Sequence, residues 1–170
     1  MAPLALGSAA LGTAVAAAWF WAHPSAVLIG TSPGELLVPW YYQASAFPPL
    51  CVLLTTAIAD LVSRRRVEGV SALALCVACS LVALVRLAGL IPLSGHGLFL
   101  SAVLVFELRR GPASARAAVV LATLGLCLTA FFKLFVWHDA LNFGGSVVIG
   151  SVIGWAASIR SAPRVHDGST

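Results

Sequence analysis

Long apolar runs with almost no charge inside them constrain this chain more than any other feature of its sequence. A helix needs ~20 predominantly apolar residues to cross the hydrocarbon core of a bilayer. Only 9% of the side chains are charged, whereas soluble domains carry about 25%. The sequence therefore predicts an all-α, polytopic integral membrane protein with six transmembrane helices in one bundle. The six runs are residues 3–22, 41–62, 70–91, 98–108, 115–137 and 143–159.

The domain organisation follows from these runs. We assign residues 1–160 to one transmembrane domain and residues 161–170 to a polar cytoplasmic tail. The fourth run is short unless it begins near Ser94, and even then it needs a thin or sheltered environment. The first run lacks the positively charged segment that opens a signal peptide, so we interpret it as a span, with a cleaved signal as the alternative.

The basic residues distinguish the two ends of the predicted helices. The loops at one end, around residues 23–40, 92–97 and 138–142, contain no lysine or arginine. Loops rich in Lys and Arg stay in the cytoplasm, so the pattern predicts a multi-pass protein of the cell membrane with a cytoplasmic C-terminus. Topology also explains the net charge of +4 without nucleic acid as a partner. Eight of the ten basic residues lie in the loops of the cytoplasmic side: Arg64, Arg65, Arg66, Arg109, Arg110, Arg116, Arg160 and Arg164.

Three acidic residues, Asp60, Glu68 and Glu107, flank these arginines in the sequence. We interpret them as interface charges without chemistry. Glycines at four positions of the last span predict close helix packing, either within the chain or with a second copy in a homo-oligomer. These are Gly144, Gly145, Gly150 and Gly154. Aromatic residues near the outer boundaries, among them Tyr41, Tyr42 and Trp137, are typical of the belt at a membrane interface.

A second group of polar residues is predicted at the non-cytoplasmic ends of the helices. Arg86 and Lys133 stand within apolar sequence, where a cation costs ~2.5–3.5 kcal/mol on insertion scales and usually faces a cavity or an anion. Snorkelling of both side chains to the lipid headgroups is the alternative interpretation. The group comprises His23, Glu35, Arg86, Ser94, Gly95, His96, Lys133, His138, Asp139 and Asn142.

The spacing within this group favours a phosphate site. If the last span begins at His138, then His138 and Asn142 lie four residues apart on one helix face. The Ser94-Gly95-His96 turn opens the fourth span, where a glycine lets backbone N–H groups approach an anion at a helix N-terminus. Two cations, two histidines and this turn suit a phosphate, because histidine can attack phosphorus or protonate a leaving group.

Metal or redox chemistry is the alternative for some of these side chains. Residue types that bind zinc or iron are present, but none has a tight ligand spacing. Cys76 and Cys79 stand three apart without polar neighbours, which favours core positions over a metal or redox pair. We therefore expect no metal and no cofactor. The residues that the metal interpretation would use are His23, Glu35, His96, His138 and Asp139.

Two stretches resemble motifs of the type 2 phosphatidic acid phosphatase superfamily. Residues 91–102, with Ser94-Gly95-His96, resemble the second motif, usually Pro-Ser-Gly-His. Residues 133–150 resemble the third motif, normally Ser-Arg, five residues, His, three residues and Asp. The resemblance reaches from Arg86 to Gly154. It implies six helices and hydrolysis of a lipid phosphate or polyprenyl diphosphate at the outer face, through a phosphohistidine and without metal.

The resemblance also implies residue roles. His138 would be the nucleophile and His96 the acid that protonates the leaving alkoxide. Ser94, Gly95, Arg86 and Lys133 would contact phosphate.

This sequence departs from the family pattern at several of these positions. Asn142 stands where the family has the acid that orients the nucleophile, which leaves Asp139 as the other candidate for that role. Lys133 stands five residues before His138, where the family has an arginine six residues before. The family's first motif, Lys, six residues and Arg-Pro, is absent. A non-catalytic protein of the same fold that binds a lipid head group or a partner protein is therefore the alternative.

Overall fold

The computed structural model describes residues 2–23, 40–63, 66–111 and 116–159. The residues within these ranges form helices and short connections, without a strand. Glu35, Arg64, Arg65, Arg160 and the tail at 161–170 lie outside the described residues. The helices are α1 (Ala2–Ala22), α2 (Trp40–Ala44), α3 (Phe47–Val62), α4 (Arg66–Leu87), α5 (Gly95–Arg110), α6 (Arg116–Phe131) and α7 (Ala140–Ile159), and a π-helical turn (Phe132–Val136) follows α6.

Five helical stretches are long and apolar enough to cross a membrane. Their outward surfaces carry large apolar side chains, such as Leu6, Val62, Leu124 and Val148, which are more than half exposed. Such a surface suits lipid as solvent, since water would leave extensive apolar area unburied. The all-α prediction is confirmed, and these helices are compatible with a membrane protein. The five stretches are Pro3–Ala22, Tyr41–Val62, Val67–Arg86, Arg116–Val136 and Ala140–Ile159.

The fourth predicted run forms α5, which is the shortest of the long helices together with α3 and α6. Its 16 residues correspond to roughly 24 Å at 1.5 Å per residue, less than the ~30 Å of a hydrocarbon core. α5 packs against α3, α4, α6 and α7. Its residues Leu98, Leu100, Val103 and Phe106 belong to the main core. The short helix is therefore sheltered by protein, which is the environment that its length requires.

Small residues bring α5 and α7 together. Ser146, Gly150 and Gly154 follow one another at intervals of four on α7, and all three are buried. A methyl group added to Gly150 would collide with the carbonyl oxygen of Leu98, and one added to Gly154 with that of Ala102. These two glycines thus serve close packing within the chain. Gly144 has open space beside it.

The second predicted run is divided into two helices. α2 ends at Ala44 and α3 begins at Phe47, with Pro48 and Pro49 in the first turn of α3. Proline is favoured at this position because it lacks the N–H that would remain unpaired there, so the pair favours the start of a new helix. The break turns α2 so that Tyr42 and Ala44 are buried.

Successive long helices run in opposite directions, so their connections lie at two opposite ends of the bundle. The connections from α4 to α5 and from α6 to α7 lie at one end, which we call the histidine end because it contains His96. The charged residues Asp60, Glu107 and Arg110 lie at the opposite end, which we call the arginine end.

Candidate phosphate site

The α4–α5 connection places the Ser-Gly-His turn at the start of α5. The Ser94 side chain caps the helix by accepting a hydrogen bond from the Gly97 N–H, at 3.3 Å. The Ser94 N–H donates to Ser146 Oγ on α7, at 2.6 Å. Arg86, at the end of α4, donates from Nε to the Leu93 carbonyl, at 2.5 Å. The turn is therefore held by α4 and α7 together, and Arg86 lies beside it.

Gly95 lies next to the Arg86 guanidinium. A methyl group added to Gly95 would have the Arg86 Nη1 atom as its nearest neighbour, at 3.9 Å. The predicted proximity of a cation to the Ser-Gly turn is thus present in the structure.

The π-helical turn after α6 presents Lys133 and Asp139 to each other. Lys133 Nζ lies 2.8 Å from Asp139 Oδ2, and the Asp139 N–H donates to the Lys133 carbonyl at 2.7 Å. Lys133 Nζ also lies 5.2 Å from the centre of the Trp137 ring. π-helical turns insert an extra residue and are frequent at functional sites. Here the turn fixes a partly exposed ion pair at the histidine end.

A cavity of about 680 Å³ joins the two connections. Arg86, Lys133, Asp139 and Asn142 line it, together with Gly89 and the apolar residues of the α4–α5 connection. Two cations and one carboxylate leave this cavity with an excess of one positive charge. Its volume lies within the range of ~300–1,000 Å³ that small-molecule sites occupy.

His96 lines a second, mostly apolar cavity of about 340 Å³. Arg86 and Gly95 belong to it too, and its apolar wall includes Phe47, Cys76, Cys79 and Phe99. Cys79 belongs to the main core, and Cys76 packs against it. Arg86 lines both cavities, so the polar and the apolar cavity adjoin at this side chain.

The His96 ring is held between two groups from α2. Its Nε2 atom lies 3.2 Å from the Gln43 carbonyl oxygen, and the ring stacks on Tyr42 with 4.7 Å between centroids. A carbonyl only accepts hydrogen bonds, so Nε2 carries the hydrogen and Nδ1 of a neutral ring is the acceptor.

His138 lines neither the polar nor the apolar cavity. Because α7 begins at Ala140, His138 precedes the helix and does not share a helix face with Asn142. The premise that the last span begins at His138 was wrong. Its backbone is left-handed, with φ of 51°, and its side chain is exposed. Within the described residues the imidazole has no hydrogen bond or ion pair, and Asp139 pairs with Lys133 instead.

Tyr42 is a residue of this site that the sequence interpretation missed. The sequence analysis placed it in an aromatic belt, whereas the side chain is only 5% exposed. Its ring contacts His96, Phe132 and Trp137, and its hydroxyl faces the Ser94 side chain. The available signal was Pro48-Pro49, which interrupts the run and marks the start of α3 after the short helix that carries Tyr42.

The metal interpretation finds no support in the described part of the chain. Among those residues, no three His, Cys, Asp or Glu side chains form a group that could hold a metal ion. His23 is exposed, and its Nδ1 atom lies 2.9 Å from the Trp19 carbonyl oxygen.

Comparison with protein family models, curated proteins and solved structures finds no match to this chain. The site is therefore interpreted from its own geometry.

Proposed function

We propose that this chain binds the phosphate head group of a membrane lipid at the histidine end, between Arg86 and Lys133. The observation that supports this function is the pair of cavities that share Arg86. An amphipathic ligand suits such a pair, because its phosphate can occupy the polar cavity while a hydrocarbon chain enters the apolar one. A lipid phosphate or polyprenyl diphosphate has this shape.

The charges around the polar cavity favour an anion. Among the described residues, Arg86 donates a hydrogen bond only through Nε, so its two terminal nitrogens can contact phosphate oxygens. Lys133 is neutralised by Asp139, and a phosphate carrying more charge can compete for it. The positive end of the α5 helix dipole lies beside Arg86, at the border between the two cavities.

In the proposed topology the chain crosses the membrane six times. α5 serves as the sixth, sheltered span, and the basic loops lie in the cytoplasm. The phosphate site then opens on the non-cytoplasmic side of the cell membrane.

Binding of a fluorescent phosphatidate to the purified protein in detergent tests this proposal. Arg86→Ala and Lys133→Ala should each weaken binding by about tenfold or more, because a hydrogen bond to a charged group contributes ~1.5–3 kcal/mol. Arg116→Ala is the matched control, since it removes an exposed cation at the arginine end and should leave the affinity unchanged. Equal affinities for the wild type and all three variants would contradict the proposal.

Hydrolysis of the bound lipid is the second candidate function. Two observations favour it: His96 adjoins the polar cavity through Arg86, and His138 directly precedes Asp139, which lines that cavity. In this reaction a His138 nitrogen attacks phosphorus and the P–O bond to the lipid breaks. His96, which must first be protonated on both ring nitrogens, gives the Nδ1 proton to the leaving oxygen. Water then cleaves the N–P bond and releases inorganic phosphate. His138 must turn toward the cavity for the first step.

Phosphate release separates the two functions. The purified protein is offered phosphatidate, phosphatidylglycerophosphate and a polyprenyl diphosphate, beside His96→Gln and His138→Asn. Asparagine tolerates the left-handed backbone at position 138, so this variant removes the imidazole with little strain. Release that both variants abolish would establish hydrolysis. Unchanged phosphatidate binding without release would identify a binding protein.

A further inference from the structure

Four charged side chains that the proposed function does not use meet at the arginine end. Arg110 of α5 contacts Asp60 of α3, Glu68 of α4 and Glu107 of α5. Three carboxylates thus surround one guanidinium, which can neutralise only one of them. The sequence analysis interpreted all three acids as interface charges, but Asp60 and Glu107 are buried.

The three acids are not equivalent partners of Arg110. Asp60 makes the closest contact, and both side chains are almost fully buried. Glu68 lies 3.4 Å away, but its side chain is 32% exposed, so water can hydrate it. Glu107 lies 3.5 Å away with a fully buried side chain, and that distance exceeds the ~2.7–3.2 Å of a good N–H···O hydrogen bond. Arg110 therefore compensates Asp60 most directly, and its contact with the buried Glu107 is longer and weaker.

One oxygen of Glu107 lacks a partner altogether. Its Oε2 atom is buried and has no hydrogen-bond partner among the described residues. An ionised carboxylate in this position would lose its hydration, and its main compensation would be the 3.5 Å contact with an Arg110 already paired with Asp60, which is unfavourable. A bound proton removes that charge.

Glu107 is one of the residues that line a cavity between α5 and α6. This cavity measures about 360 Å³ and is lined by Glu107, Leu108, Gly111, Arg116, Val119 and Val120. The charged groups near Glu107 are Asp60 from α3, Glu68 from α4, Arg110 from α5 and Arg116 from α6. The sequence of α7 contains no charged residue.

We propose that Glu107 is a proton-binding site, occupied at neutral pH, with the cavity between α5 and α6 as its route to water. A proton fits better than a metal ion, because no described group of three ligands could hold one. This site lies at the end of the bundle opposite the phosphate site and does not depend on the proposed function.

The sequence allows a direct measurement, since the chain contains three glutamates, Glu35, Glu68 and Glu107. The variant E35Q/E68Q retains Glu107 as its single glutamate. With ¹³C in the glutamate side-chain carboxyl, infrared spectroscopy then reports the protonation of Glu107 alone. The matched control is E35Q/E107Q, whose single glutamate is the partly exposed Glu68. At pH 7 we expect a protonated carboxyl in the first protein and an ionised one in the second.

An ionised Glu107 at pH 7 in folded E35Q/E68Q would overturn the proposal. The pH dependence of stability gives a second test in which Glu68 is intact. If the folded chain keeps a proton that the unfolded chain releases, the unfolded state binds fewer protons, so stability falls as pH rises. We therefore expect Tm in detergent to fall between pH 5 and pH 8, and E107Q to reduce that slope. An equal slope in E107Q and the wild type would also contradict a proton on Glu107.

Discussion

In the proposed phosphate site, Gly95 lies at the start of α5 beside the Arg86 guanidinium. A methyl group added there meets only the flexible Arg86 side chain, at 3.9 Å, so the fold itself does not require glycine. We expect Gly95→Ala to leave Tm unchanged and to weaken phosphatidate binding several-fold, because the methyl group occupies space needed by the ligand. Equilibrium binding and thermal unfolding of the same preparation measure both effects.

The control for this variant is Gly144→Ala, a glycine of α7 with open space beside it. It should leave the affinity unchanged and should not lower Tm, since alanine favours helix over glycine. An unchanged affinity in Gly95→Ala would mean that the phosphate does not approach the backbone of α5.

The structure brings together some of the polar residues expected at the non-cytoplasmic ends of the helices, but not His138. Arg86, Lys133 and Asn142 share a cavity although they are up to 56 positions apart in the sequence. The separation of His138 from them depends on where α7 begins and on a left-handed backbone. Motif spacing does not determine either property, because boundaries of a helix depend on capping and on tertiary contacts.

At the scale of helices, the contact between α5 and α7 depends on glycines, which have no side chain. Gly150 lies against the Leu98 carbonyl and the Ser101 hydroxyl, and backbone atoms cannot move aside as a flexible side chain would. We expect Gly150→Ala to lower the free energy of unfolding by roughly 1–3 kcal/mol, the usual cost of overpacking. Reversible unfolding in mixed detergent measures this loss, with Gly144→Ala as the matched variant on the same helix.

Helix propensity alone would raise stability by a similar amount in both variants, since alanine favours helix over glycine at either position, so a gain of equal size would contradict overpacking at Gly150. The difference between the two variants therefore isolates the α5–α7 contact.

Periodicity predicted most helices but not their interruptions. The second run reads as one apolar segment from 41 to 62, yet it is divided before Pro48-Pro49. The π-helical turn at the end of α6 has no sequence signal of its own, since its register follows from the ion pair and the aromatic cluster that it supports. Local propensity is a weak prior that tertiary contacts override.

At the scale of the whole molecule, the orientation of the bundle is open to a labelling test. Ser63 and Pro92 are exposed residues at the arginine end and the histidine end. In a background with Cys51, Cys76, Cys79 and Cys127 replaced by alanine, we expect a membrane-impermeant thiol reagent added to intact cells to label Pro92→Cys and not Ser63→Cys. The reason is that basic loops remain in the cytoplasm.

Labelling of Ser63→Cys in permeabilised cells is the control that its thiol can react. Labelling of both cysteines in intact cells, or of Ser63→Cys alone, would contradict the predicted topology.

Composition and periodicity by themselves determined that this chain is all-helical and apolar on its outer surface, because sixteen charged residues cannot cover a water-exposed globule of this length. They also indicated close packing of the last helix, since small residues at intervals of four permit it. Only the tertiary structure decided which partner that helix takes, which polar residues share a cavity, and that Glu107 is buried beside an arginine already paired with Asp60. These properties arise from contacts between distant parts of the chain, and neither hydropathy nor local spacing encodes them.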